Sequence, residues 1–557
     1  MSASQRPGIT RYALVWLGTL LVWVALILFI YYRQWQSTGV EDSGLGNDIR
    51  NGVLAITALV GLAFGGHWLW KVRSAVAQEP AAMASAQATA AAATPHGRML
   101  AGEGERYVLE VRGLGLAVGD YYQTVWQAIR EDDDAFKSVL PQDPKYYDPN
   151  TRIGSASLAA GTSFGDAAKE AVERWPLPVI ILGPPTTIND GSTMANEIAL
   201  DRQSESLGLT LFLWQEDANV ASAQATLERL FQFFDQHPDV PEVLLVSNDS
   251  EADRYGWKSP GMPKRPAGIH VPLMPDSMVA MLVARSDRVD RLVRPYAVDV
   301  GDGINKDDTQ YDIIKLWNFF WEKADVFDMQ YEAALKAKGV KWPDGTNVPK
   351  ADWWIAQLPE LWKQINNKGP GEFKPSPYLP VRWARWQVQQ FDESPLLGYL
   401  HRPVHVPLTD EQGKPLKRAA QVEALRKGWA QAVSALPDAK PTRVFYDTSL
   451  DREWVIPLTQ ALHGNAEGIE LDDKHQGYDI GRRLGNTGVS SALVQIGLAI
   501  QAGYEDDRTS ATVNLTPDGY AGIVMVSPPD AASKGINTEH RGKNPFMAHV
   551  PGWQDPQ

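Results

Sequence analysis

The 557-residue chain has no cysteine. Structural disulfides and thiolate-built zinc or iron–sulfur sites are therefore excluded. The thiolate is also unavailable as a nucleophile, and a serine or threonine hydroxyl without a base is far weaker. Clustered cations are missing as well: 53 Lys and Arg face 67 Asp and Glu, for a formal net charge of −14. That balance argues against a general binder of nucleic acid or anionic membrane, because phosphate contacts need grouped Lys and Arg. No G-x-x-x-x-G-K-[ST] loop occurs, and no G-x-G-x-x-G joins a strand to a helix. His401 and His405 are four apart, but Pro403 and Pro407 break the helix that would align them, and no adjacent Glu completes H-E-x-x-H. VGDGINKDD at 300–308 lacks the alternating ligands and final Glu of a calcium loop, and Asp472, Asp473 and His475 read as a solvated loop.

What remains is a globular composition, 44% hydrophobic and 22% charged. Residues 13–32, ALVWLGTLLVWVALILFIYY, are uncharged and mostly apolar between Arg11 and Arg33. Twenty residues at about 1.5 Å each match the roughly 30 Å hydrocarbon core. A second, glycine-interrupted span runs from Gly52 to Trp70. Arg6 and Arg11 precede the first span, and Lys71 and Arg73 follow the second, so the positive-inside preference puts both ends in the cytoplasm. The expected organisation is a membrane anchor over 1–74, an Ala-rich tether over 75–98, an α/β half over 99–300, a helical Trp-rich insertion over 301–440 and a second α/β half over 441–557.

The first α/β half opens with RYVLEVRGLGLAVGDYYQTVWQAI (Arg106 to Ile129), read as a strand broken by glycines and then a helix. LPVIILG at 177–183 is a buried-strand run. LTLFLW, the helix with Leu227, Leu230, Phe231 and Phe234 on one face, and EVLLVS form a strand–helix–strand unit, which implies a parallel crossover. In the insertion, Ile313, Trp317, Phe320, Ala324, Phe327, Tyr331 and Leu335 recur at helical spacing before Gly339. Trp353, Trp354, Trp362, Trp383 and Trp386 follow and are read as core, with a partner surface as the alternative. Near the end, LGNTGVSSALVQIGLAIQAG (484–503) sets Gly485 and Gly488 in a tight turn ahead of a helix that Thr487 or Ser490 can cap.

The sharpest enzymatic motif is GTSFG at 161–165, a G-x-S-x-G match that would make Ser163 a hydrolase nucleophile on a strand-to-helix elbow. The helix DAAKEAVERW follows, but the preceding RIGSASLAA is too small and polar for a buried central strand. Ser163 is therefore the alternative, and no residue is assigned a catalytic, cofactor-binding or metal role.

Two resemblances overlap. VFYDTSLDREW, LGNTGVSSALVQIGLAI and YAGIVMVSP resemble the carboxyl half of thiolase-fold synthases, and RYVLEVRGLGLAVG is similar to that fold's opening strand. The implied fold is a thiolase-like α/β core of two halves, without the usual cysteine. ILGPPTTINDG, VPLMPDSMVAMLVARSDRVDRLVRPYAV and RWQVQQFDESPLLGYLHRP, with the twin spans and the end of the chain, resemble the type VI lipase adapter family. This likeness implies a non-catalytic inner-membrane protein, its large domain in the cytoplasm, that binds a phospholipase effector and passes it to a type VI secretion spike.

Overall fold

The computed structural model describes residues 107–132, 134–148, 161–185, 198, 201–202, 211–215, 223–337, 349–436 and 440–546. The two expected spans and the tether lie outside these residues. Among the described residues, no helix is long and apolar enough to cross a membrane.

Twelve strands form one mixed sheet. The amino-terminal part supplies β1 (Leu109–Val118), β2 (Tyr121–Tyr122), helix α1 (Val125–Glu131), β3 (Pro176–Leu182), β4 (Leu211–Gln215), α2 (Ala223–Gln236), β5 (Glu242–Asp249), α3 (Glu251–Gly256) and β6 (Ser277–Ala284). Then come α4 (Asp312–Ala337), α5 (Ala351–Trp362), α6 (Arg385–Glu393), β7 (Gly398–Leu400), β8 (Val404–Pro407), α7 (Arg418–Ser434) and β9 (Arg443–Tyr446). The chain continues through α8 (Val455–Leu462), β10 (Gly477–Asp479), α9 (Ile480–Leu484), α10 (Ser491–Asp506), β11 (Ser510–Leu515), β12 (Tyr520–Ser527) and α11 (Ala531–Arg541). The strand order is β10-β9-β11-β12-β7-β1-β6-β5-β3-β4, with β2 on β1 and β8 on β12. The first and last α/β regions thus share a sheet, joined where Leu109 of β1 pairs Leu400 of β7 and Val526 of β12 pairs the same residue.

Several sequence expectations change. β1 is not broken by its glycines: it runs through Gly113 and Gly115 as one buried strand. A Cβ at Gly115 would overlap the Ser163 carbonyl, and one at Gly113 the Ala167 carbonyl, so these glycines let a helix lie directly on the strand. β4 and β5 are parallel as expected, but both pair with β3, which lies between them. Within 301–440, β7 and β8 pair with the sheet and α7 packs on it.

The tryptophans of the insertion are core. Trp354 and Trp383 are fully buried, and Trp353, Trp362 and Trp386 are half-buried. Trp354 and Trp383 pack with Ile313, Phe319, Phe320, Leu358 and Leu361 against Trp175, Leu211 and Leu213. Helix α10 is buried from Ser491 to Tyr504, and apart from Gln495 and Gln501 its side chains there are apolar or small. It touches β1, β6, β7, β9, β11 and β12 together with α1 and α2, and a helix without a polar face is stable only in such a setting.

Candidate functional site

The GTSFG serine is not on an elbow. Residues 161–168 are helical, and Ser163 is buried two residues inside that stretch, its carbonyl against β1. A nucleophile must reach its substrate from an exposed strand-to-helix turn, and this hydroxyl is enclosed between helix and sheet. Ser163→Ala is expected to leave any esterase turnover of the purified chain at its background level. Turnover that disappears while the circular dichroism spectrum persists would restore the hydrolase reading.

The histidines are separated by their roles. His401 follows β7, is 2% exposed and shares a hydrogen bond of 2.8 Å with Ser527 Oγ. Burial pulls its pKa down to about 4, so it is a neutral core group at pH 7. His405 lies in β8 and packs at a tilt against Tyr520, with ring centroids 3.9 Å apart and 32° between the planes. Asp473 holds its own turn by accepting from His475 N at 2.8 Å and Gln476 Nε2 at 3.0 Å. Asp308 and Asn305 do the same at 300–308. Among the described residues no group of three or more metal-ligating side chains comes together.

The built polar site is at the glycine turn that begins α10. Gly485 and Gly488 both take positive φ, at 80° and 61°, as their turn requires. Neither Thr487 nor Ser490 caps a helix with its side chain. The anionic partner comes instead from the other half of the molecule. Asp249, at the end of β5 and 1% exposed, accepts from Val489 N at 2.8 Å and from Arg254 Nε and Nη2 at 2.8 and 2.6 Å. A Cβ on Gly488 would overlap the Asp249 carboxylate and crowd Met274. One turn on, Ser491 donates to Asp447, which follows β9 and also accepts from Ser449 N at 2.7 Å. Burial raises the pKa of Asp447 despite these bonds. Two carboxylates from opposite halves thus meet the amino end of α10, where exposed N–H groups and the helix dipole favour negative charge. The sequence signalled the glycines, but not the aspartates that make them necessary.

A second buried cluster ties the insertion to β1. Arg112 sits at a register shift in the β1–β6 pairing and donates to Glu110 at 2.8 and 3.0 Å, to Phe391 O at 3.0 Å and to Ser394 Oγ at 3.1 Å. Its guanidinium lies 4.3 Å over the Phe391 ring. Glu242, 1% exposed, stands within the field of Arg112, and its Oε2 accepts from Val172 N at 3.5 Å. Burial pushes this carboxyl up to about 7, outweighing Arg112 and the Val172 bond.

These groups hold helix, strand and insertion together, and Glu242 Oε1 is buried without a hydrogen-bond partner among the described residues. Comparison with known proteins gives the class, that of adapters: the family described as type VI lipase adapter protein Tla3, N-terminal, matches residues 107–267, and its C-terminal counterpart matches 397–528. The two matches take in strands from both halves of the sheet. The chain belongs to the type VI lipase adapter protein Tla3 family. Among solved structures it is similar to the ishigamide ketosynthase/chain length factor, at 10% identity and a TM-score of 0.37, covering 76% of this chain and 100% of that one. It is also similar to the module 6 ketosynthase of the Bacillus subtilis bacillaene synthase, at 8% identity and a TM-score of 0.37, covering 76% and 71%. The module 1 ketosynthase from Bacillus amyloliquefaciens gives 10% identity and a TM-score of 0.36, covering 77% of each. Identity at this level says nothing of chemistry, since one fold hosts many functions.

Proposed function

We propose that the chain is a non-catalytic adapter that binds a phospholipase effector in the producing cell and hands it to the type VI secretion spike. The family match to both halves of the sheet carries this reading. We further read the sheet and its buried central helix as a thiolase-like core reused for binding. The cysteine on which condensing enzymes rely is missing from the sequence. Two amino-terminal helices would hold the protein at the inner membrane, with the large domain in the cytoplasm, where a cargo can be met before export.

Full-length chain purified in detergent is expected to bind the purified lipase effector directly, and to form a ternary complex when spike protein is added. Absence of lipase binding by a folded chain overturns the adapter role. For topology, protease added outside sealed spheroplasts is expected to leave residues 98–557 intact, and digestion of that region refutes a cytoplasmic domain.

A further inference from the structure

Between α3 and β6 the chain makes a long connection, 257–276, WKSPGMPKRPAGIHVPLMPD. In a protein of net charge −14 these residues carry Lys258, Lys264 and Arg265 against one acid, Asp276, at the foot of β6. They also carry five prolines, three of them at 260, 263 and 266. Structureless connections beyond about 12–15 residues inside a domain are uncommon, and are usually functional or disordered.

This one is pinned at both ends. Ser259 is buried and its N donates to Arg254 O at 2.8 Å. On the return side, Glu251 holds His270 Nε2 at 2.7 Å and accepts from Leu273 N at 2.6 Å, while Met274 is buried beside the Gly488 turn. Between the pins most of the chain is exposed, and the Arg265 guanidinium lies 5.7 Å from the Tyr255 ring centroid of α3. Lys264, Arg265, Pro266, Ala267 and Gly268 are all exposed, as are the side chains of Ile269 (47%) and Leu273 (50%). Gly261 and Gly268 turn at φ 78° and 79°, and a Cβ on either would meet nothing within 4 Å among the described residues.

The segment 262–266 pairs with no strand and forms no helix. Proline fixes φ near −65° and donates no N–H, so Met-Pro-Lys-Arg-Pro is predisposed to the polyproline II form. That helix has three residues per turn, which puts Pro263 and Pro266 on one face and leaves Lys264 and Arg265 to the others. Such segments dock in grooves lined by aromatic side chains, at low cost because the form is already set.

We propose that this loop is a docking arm that fits an acidic, aromatic-lined groove on the lipase partner. This inference rests on the adapter reading above. A protein groove fits the loop better than a lipid surface: three cations on a strongly acidic protein are a weak membrane attractor, whereas prolines three apart add nothing to lipid binding.

The test uses the full-length chain and the purified lipase effector. If the folded wild-type chain fails to bind lipase, the adapter reading itself falls. If it binds, the double variant K264E/R265E is expected to lose affinity at least tenfold. P263A/P266A is expected to lose several-fold, with unfolding midpoints unchanged because these side chains are exposed. Raising NaCl from 50 to 300 mM should weaken the wild type more than K264E/R265E. Affinities within twofold of wild type for both variants overturn the docking arm. It is equally overturned if K264E/R265E keeps lipase affinity and instead reduces flotation with phosphatidylglycerol vesicles relative to phosphatidylcholine vesicles, since the loop would then be a lipid contact.

Discussion

Valine in place of Gly488 is expected to lower the unfolding free energy by about 2–6 kcal/mol. Two costs add: a left-handed backbone forced on a β-branched residue, roughly 1–3 kcal/mol, and overpacking of a filled site, also roughly 1–3 kcal/mol. The overpacking has a named partner, because the new Cβ falls on the Asp249 carboxylate, which must move and take Arg254 and Val489 N with it. Guanidinium unfolding of the purified chain measures the loss. The clash is isolated by Gly488→Ala made alone and with Asp249→Ala. The alanine at 488 is expected to cost less in the second background, since neighbouring sites are non-additive when they share a contact. Equal costs in the two backgrounds would show that Asp249 is not what the glycine accommodates. Lipase binding should fall only in proportion to folded protein.

Glu242→Gln is expected to stabilise the protein at pH 8 and leave it nearly unchanged at pH 5. Because the folded-state pKa is raised to about 7 from the carboxyl's ordinary 4.5, the folded protein keeps a proton that the unfolded chain loses across that interval. The stability contributed by this group is therefore full below pH 4.5, declines as pH rises towards 7 and is gone above it. A shift of this size corresponds to about 3 kcal/mol. Glutamine keeps the neutral shape at every pH, and Arg112 retains Glu110 as its partner. The observable is the difference between the wild-type and variant unfolding curves at pH 5, 6, 7 and 8. Parallel curves would mean that Glu242 is ionised throughout.

The strands of the first half were legible because they are continuous apolar runs: Pro176–Leu182, Leu211–Gln215 and Glu242–Asp249 all fall on segments whose composition announces burial. Pro517, Asp518 and Gly519 are turn formers, and they separate β11 from β12. β7 and β8 were not legible. At three and four residues they are too short for a period to register, and β8 ends at Pro407. What makes them strands is the edge of β12 alongside, a partner more than a hundred residues away. Gly113 and Gly115 misled for a related reason. Glycine in a strand lowers local propensity, yet here it answers a helix that crosses directly above. The Ser163 motif matched by letters alone, and the turn at Gly488 was read correctly as packing without any sign of the carboxylate it packs.

The position of β1 bears on how the protein is made. The first described strand is not at an edge: it is flanked by β6, which ends at Ala284, and by β7, which begins at Gly398. A ribosome adding about 5–20 residues per second needs about 15–60 seconds to go from β1 to β7. Throughout that interval Leu109, Glu110 and Val111 present unpaired backbone along an apolar strand, the kind of edge that recruits other chains. Synthesis is thus a vulnerable moment, and truncation or stalling between 285 and 397 should yield aggregated chains where the full-length protein stays dispersed in detergent.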